Sequence, residues 1–140
     1  MSSAPQSRPE ERLERHYLRY IDALNERRFD DLPAFVAEEL VYNDAPISGG
    51  QYRDMLEDDV RRIPDLFFDV RHLVVAGDQV ACRLRFECTP VEAFQGFQPT
   101  GHPVVFAEHV FYRFEGDRIV QVWSLLDVAA LQRQLTRGRA

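Results

Sequence analysis

At Leu66 the hydrophobic period of this chain changes. Upstream, apolar residues recur every three to four positions, as on one face of a helix; downstream they alternate, as on a strand. The clearest alternation is in residues 79–89, where Val80, Cys82, Leu84, Phe86 and Cys88 share one face while Ala81, Arg83, Arg85 and Glu87 share the other. Residues 66–75 read as its hairpin partner, with Ala76, Gly77 and Asp78 as the turn. A second long hairpin follows, from residues 104–114 and 118–125, joined at Glu115, Gly116 and Asp117. Residues 104–114 are apolar on both parities, so this strand is expected to be central and covered twice, by helices on one face and by another subunit on the other. The connection between the hairpins carries Phe94 and Phe97 and is too apolar for a solvated linker, so it is expected to fold back over something.

Ahead of the switch, Ser7 and Glu10 have the spacing of a capping box, and Leu13, Tyr17, Tyr20, Ile21 and Leu24 follow on one stripe, which predicts a helix ending near Arg28. A short second helix capped by Asp30 or Asp31 is expected to bury Leu32, Phe35, Val36 and Leu40, before a brief extended piece at Val41 and Tyr42. Ser48 and Gln51 form another capping box for a third helix, with Tyr52, Met55, Leu56, Val60 and Ile63 on its stripe and Pro64 stopping it. A last helix is expected over about residues 127–135, with a frayed tail from Thr136. Three helices, a four-stranded antiparallel meander and a short C-terminal helix make an α+β domain in which a curved sheet wraps a cavity. The 140 residues suffice for one such domain over 1–140, its core about 10–135.

The net charge of −6 argues against nucleic acid or an anionic membrane as partner. No apolar run approaches the roughly 18 residues that span a bilayer, so a cytoplasmic protein is expected. Cys82 and Cys88 are read as packed thiols in a reducing compartment. His16, His72, His102 and His109 are scattered and no phosphate-binding glycine loop is present, so neither metal nor cofactor is expected.

Four ionisable residues stand out. Asp59 interrupts the apolar stripe of the third helix, facing either a pocket or that stripe's wet edge. Glu108 interrupts the row Val104, Phe106, Val110, Tyr112 and Phe114, and His109 interrupts the opposite row of Val105, Ala107 and Phe111. Burial without a partner raises a Glu pKa and lowers a His pKa, moving either towards the range useful for proton transfer, although each could equally be a satisfied core or interface residue. Asp127 stands where the last strand meets the last helix, at the rim of the sheet; it is placed either to act in a cavity or to cap that helix.

The segment Phe97, Gln98, Pro99, Thr100, Gly101, then Phe114, Glu115, Gly116, Asp117, Arg118, Ile119, and finally Trp123, Asp127, Gln134 and Leu135 resembles the SnoaL-like polyketide cyclase and ester cyclase family. Ile63, Pro64, Asp65 and Leu66 resemble that family's step into its first long strand. The resemblance implies a nuclear transport factor 2-like cone, dimeric or tetrameric, working without metal or cofactor on a small molecule. It also implies that an acid, matched here by Asp127, takes a proton from an activated carbon so that the enolate closes a ring. Tyr17, Tyr20, Phe35, Tyr42, Phe94, Phe106, Tyr112 and Trp123 would supply the walls, with Asn43 and Gln121 among the binding residues. The chain departs from the family pattern where Thr89 and Pro90 replace its usual Thr-His step, Gln121 its usual Glu, and Asn43 its usual His.

The first expectation is therefore a cofactor-independent cyclase or isomerase on a polyketide-like carbonyl compound. Asp127 would be its base, His109 and Glu108 its orienting or acid partners, and Asp59 a second acid. The alternatives are a ligand-binding or dimerisation module without chemistry, and a hydrolase or dehydratase of the same fold.

Overall fold

A computed structural model describes residues 5–137. Helix α1, Arg8–Asn25, starts on the expected capping box: Ser7 Oγ accepts from Glu10 N, and Glu10 Oε1 accepts from Ser7 N at 2.9 Å. It ends three residues earlier than the sequence predicts, because Arg27 turns the chain through a positive φ of 59°. The predicted second helix is corrected. Only a short 3-10 helix, Phe29–Ala34, forms there, and Val36 and Leu40 are buried from a strand, β1, Val36–Tyr42. Pro33 and the β-branched Val36 and Val41 favour that outcome over a continuous helix. Strand β2, Ala45–Ser48, returns antiparallel to β1.

Helix α2, Gly49–Arg62, begins on the second capping box, with Ser48 as its cap. Its first residue must be glycine: a Cβ on Gly49 would lie 2.7 Å from the carbonyl oxygen of Ala37 in β1. The alternating half of the chain forms β3, Asp69–Ala76, β4, Gln79–Cys88, β5, Val104–Glu115, and β6, Arg118–Leu126, followed by α3, Val128–Arg137. β3 starts three residues later than expected, and α3 runs beyond the predicted Leu135. Residues 138–140 of the predicted tail lie outside the described residues.

The expected four-stranded meander is the larger part of a six-stranded curved sheet in the order β2-β1-β6-β5-β4-β3. All neighbours are antiparallel except β1 and β6, which pair in parallel. The register settles which residues share a face. Cys82 lies opposite Val110, Leu84 opposite Glu108 and Phe86 opposite Phe106; across the other edge of β5, Ser124 lies opposite Val110 and Val122 opposite Tyr112. All these point to the concave face, against which α1 and α2 pack: the Tyr17 and Tyr112 rings are 5.1 Å apart, and those of Tyr42 and Tyr52 6.1 Å. The opposite face presents Arg83, His109, Phe111, Gln121, Trp123 and Leu125. α3 takes over the edge of β5 where β6 stops, with Gln134 bonding both the N–H and the carbonyl of Val105. Among the described residues no helix is long and apolar enough to cross a membrane.

Candidate active site

The strict alternation of β5 carries Glu108 to the concave face in the row of Val104, Phe106, Val110 and Tyr112, each of which is buried. Helix α2 lies across this face and brings Asp59 to the same space. The two carboxyl groups share a cavity of about 200 Å³ whose walls include Phe68, Phe86, Phe94 and Phe106. Sharing Tyr42, Met55, Asp59, Phe68 and Glu108 with it, a smaller inner chamber of about 60 Å³ is lined also by Tyr20, Tyr52 and Tyr112.

Burial is the largest influence on both acids. It pushes Glu108 up to about 7, against the Ser124 hydroxyl, which donates to its carboxylate and favours the charged form; the charge of Asp59 adds to the rise. Asp59 is raised to about 6, first by burial and then by the neighbouring charge of Asp58, with Arg62 pulling the other way. Because ionisation of one raises the other, the pair favours a state with one carboxylate and one carboxylic acid facing a common cavity, the arrangement that acid–base chemistry needs.

Ser124 is itself held in place. The Asn43 side chain acts as a short strand, its Oδ1 accepting from Ser124 N at 2.8 Å and its Nδ2 donating to Ser124 O at 3.2 Å. Asn43 sits in the β1–β2 turn at a φ of 45°, a conformation that Asn tolerates better than most side chains. Its contact is with the serine that touches Glu108, and not with the cavity.

The apolar connection between β4 and β5 borders the cavity, contributing Phe94 and Gln95 to its lining. Val91 N donates to Arg62 O at 2.8 Å, Arg62 Nη1 donates to Ala93 O at 2.6 Å, and Arg61 pairs with Glu92 at 2.8 Å. These bonds tie the strap to the end of α2. Phe94 and Phe97 exchange backbone hydrogen bonds across a tight turn at Gln95 and Gly96, and Phe94 is thereby pressed onto Phe106 with rings 5.9 Å apart.

The remaining sequence candidates lie elsewhere. The exposed Asp127 carboxylate accepts from Ala130 N at 3.1 Å, capping α3, and opens on a shallow outer cleft with Arg83 and His109. His109 Nε2 is 2.7 Å from Arg83 Nη1. Gln121, which accepts from Arg113 Nε at 3.3 Å, and Trp123 share that outer face. Phe35 stacks on His16 at 4.9 Å beneath α1, and the Tyr17 hydroxyl is buried near Cys82 and Tyr112 without a hydrogen-bond partner. Cys82 and Cys88 are free and buried, and burial pushes Cys88 up to about 12, so neither is a poised nucleophile.

The cavity lining includes residues that are not among the sequence candidates, notably Ser124, Tyr52, Phe68 and Phe86. Tyr52 and Phe86 were legible as buried by periodicity, Tyr52 on the stripe of α2 and Phe86 on the inner row of β4. Ser124 was hidden because a serine on a strand face carries no signal until its opposite neighbours are known.

The cone recurs in solved structures. A protein from Agrobacterium tumefaciens described as a SnoaL-like polyketide cyclase superposes with a TM-score of 0.85 at 45% identity, over 88% of this chain and 97% of that one. TsrD from Streptomyces laurentii matches with a TM-score of 0.77 at 22% identity, over 94% and 98%. A protein from Acidithiobacillus ferrooxidans matches with a TM-score of 0.80 at 18%, over 99% of each chain. The last two speak for the fold alone. No curated protein matches the chain. The family description of the SnoaL-like polyketide cyclases fits residues 14–135, nearly the whole described chain with its cavity and both interior carboxyl groups, and the protein belongs to that family.

Proposed function

We propose that this protein is a small-molecule cyclase or isomerase that works by proton transfer between carbon and oxygen, with the Asp59–Glu108 pair as its acid–base machinery. The observation that carries the reading is the convergence of two carboxyl groups, both raised by burial, on one aromatic cavity. Asp59, ionised, removes a proton from a carbon beside a carbonyl, and the C–H electron pair becomes the enolate. In a cyclisation the enolate carbon bonds to a second carbonyl carbon of the same molecule, and the new alkoxide takes the proton of Glu108. In an isomerisation Glu108 returns a proton to a different carbon instead. Either way one proton enters the pair and one leaves, so no other reactant is needed. Ser124 orients Glu108 and stabilises its carboxylate once the proton has gone.

This reading moves the base from Asp127 to Asp59. The Asp127 carboxylate is exposed, caps a helix and faces only a shallow outer cleft, with no enclosed aromatic cavity to work in. The cavity is also small beside the roughly 300–1,000 Å³ of sites for drug-sized ligands, which favours substrates of one or two rings. Self-association through the outer face of the sheet belongs to the same reading: Phe111 and Leu125 are 50% and 77% exposed there. Sedimentation equilibrium of Phe111→Ser beside the parent chain tests it.

The reaction itself is tested with 2-tetralone in deuterated buffer, following loss of the protons beside its carbonyl by NMR. Exchange above the buffer rate that disappears in Asp59→Asn and in Glu108→Gln is the expected result. Exchange that survives both substitutions and vanishes in Asp127→Asn overturns the assignment.

A further inference from the structure

The inner chamber holds a feature that the acid–base pair does not use. Tyr20 from α1 and Tyr52 from α2 meet there hydroxyl to hydroxyl at 2.6 Å, both essentially without solvent exposure. In such a pair one hydroxyl donates to the other, and the second has its proton left to turn either towards the nearby Tyr112 hydroxyl or into the chamber. The first bond polarises the second hydroxyl and makes it the better donor. Around the pair the chamber is otherwise apolar, with Leu24, Leu84, Val110 and Val122, apart from Tyr42, Tyr112 and the two carboxyl groups. No hydrogen bond joins Tyr20 or Tyr52 to Asp59 or Glu108 among the described residues. A buried hydroxyl proton left without an acceptor is costly, so a chamber built this way is suited to receive one.

Size says what kind of acceptor fits. About 60 Å³ is the room of roughly two water molecules, enough for a carbonyl group and too little for a ring. The ring must stay in the outer part of the cavity, between Phe68, Phe86, Phe94 and Phe106. We propose that the Tyr20–Tyr52 hydroxyl pair is the oxygen subsite of this cavity: it seats the carbonyl of a one- or two-ring ketone or diketone in the inner chamber and donates to that oxygen as it becomes an enolate. The proposal rests on the proton-transfer reading above and adds to it where the substrate's oxygen goes and why its size is limited. In the step concerned, the C–H bond breaks towards Asp59, the electron pair forms the C=C bond, and the carbonyl π pair moves onto the oxygen held by the tyrosines. The charge thus develops where a pre-oriented donor is waiting.

The test is titration of the full-length protein with 4-nitrophenol, whose phenolate resembles an enolate, and with 4-nitroanisole, whose oxygen is methylated and uncharged. Binding of both is read by calorimetry in the parent chain and in Tyr20→Phe, Tyr52→Phe and Asp59→Asn. The parent is expected to prefer the phenol to the anisole by about tenfold or more, and at least one tyrosine variant to lose most of that preference while binding the anisole as before. A tyrosine with a merely structural role would weaken both probes alike, so the ratio of the two separates the cases even if a variant is less stable. Asp59→Asn is expected to tighten 4-nitrophenolate binding, since it removes the charge that opposes an anion beside it. Absence of 4-nitrophenol binding at millimolar concentration, or a phenol preference untouched by both tyrosine substitutions, overturns the oxygen subsite. If 2-tetralone exchange persists in that case, the acid–base reading survives alone. If instead the tyrosine-dependent preference is found and exchange is not, the subsite stands and the acid–base reading falls.

Discussion

Glu108 and His109 are adjacent in the chain, and the sheet separates them completely. Glu108 faces the cavity between α1, α2 and the concave row of β5, and burial raises it to about 7. His109 faces outward, hydrogen-bonded to Arg83 and close to Asp127. Both interrupt apolar rows, and in the sequence the two interruptions look alike. What distinguishes them is what lies over each face. The helices pack over one side and leave Glu108 half-buried in a cavity lined by aromatic rings, whereas the outer side of this chain is open, with Phe111 half-exposed. An ionisable group in an apolar row becomes chemically interesting only when the row is covered.

The strongest way to break that comparison is to neutralise each side in turn. Asp59→Asn and Glu108→Gln are each expected to lower turnover by about 10²–10⁴-fold, the usual range for removing a general acid or base. His109→Gln and Asp127→Asn are expected to stay within a few-fold of the parent, Asn being as good a helix cap as Asp. Steady-state kinetics on the same substrate decides; equal losses on both faces would falsify the one-sided assignment.

The pH profile sharpens the inner side. Activity needs Asp59 ionised and Glu108 protonated, so it should fall below about 6 and again above about 7, giving a bell with its maximum between the two. In Glu108→Gln any residual activity should lose the alkaline limb. Stability follows with the opposite emphasis. The folded-state pKa of Glu108 lies above its unfolded value, so its contribution is fully present below the unfolded pKa and is lost as pH rises through about 7. Thermal or urea melts should therefore show Glu108→Gln gaining on the parent chain between pH 5 and pH 8, by on the order of 2–3 kcal/mol at the upper end.

Two smaller effects probe the supports of the inner face. Asn43→Gly keeps the left-handed turn and deletes the side chain that holds Ser124, so turnover is expected to fall several-fold with little change in fold; near-ultraviolet circular dichroism and kinetics check it together. Tyr17→Phe removes a buried hydroxyl that has no partner, and a melting temperature equal to or above that of the parent is expected.

Much of this was legible in the sequence. The switch of period at Leu66, the two capping boxes and the hairpin turns placed α1, α2 and β3 to β6, and the resemblance fixed the cone. Local periodicity misleads at β1, where Phe35, Val36 and Leu40 fit a helical stripe over a short window, and its parallel partner, β6, is some eighty residues away. The site was half legible. Asp59 and Glu108 stood out as charges in apolar rows, but their meeting depends on how α2 crosses β5, which no spacing within either element records. Asp127 stands out in the sequence because a helix cap and a rim carboxylate have the same signature, and the structure adds the hydrogen bond that it accepts from Ala130 N.

The parallel pairing of β1 with β6 has a consequence for how the protein comes into being. It joins Val36 to Ile119 and Tyr42 to Val122, and the Asn43–Ser124 clasp lies at the same seam. Contacts that bridge such sequence distances are slow to form, since the intervening loop must be closed before they contribute anything. The hairpins of the second half can assemble first, leaving Glu108 on an uncovered sheet and wet, with the acidity of any surface carboxylate. On a ribosome the seam must wait until β6 has emerged, some eighty residues after β1. The enclosure that the proposed chemistry needs is thus withheld until β1 and β6 have met, and a chain lacking β6 would carry both carboxyl groups without it.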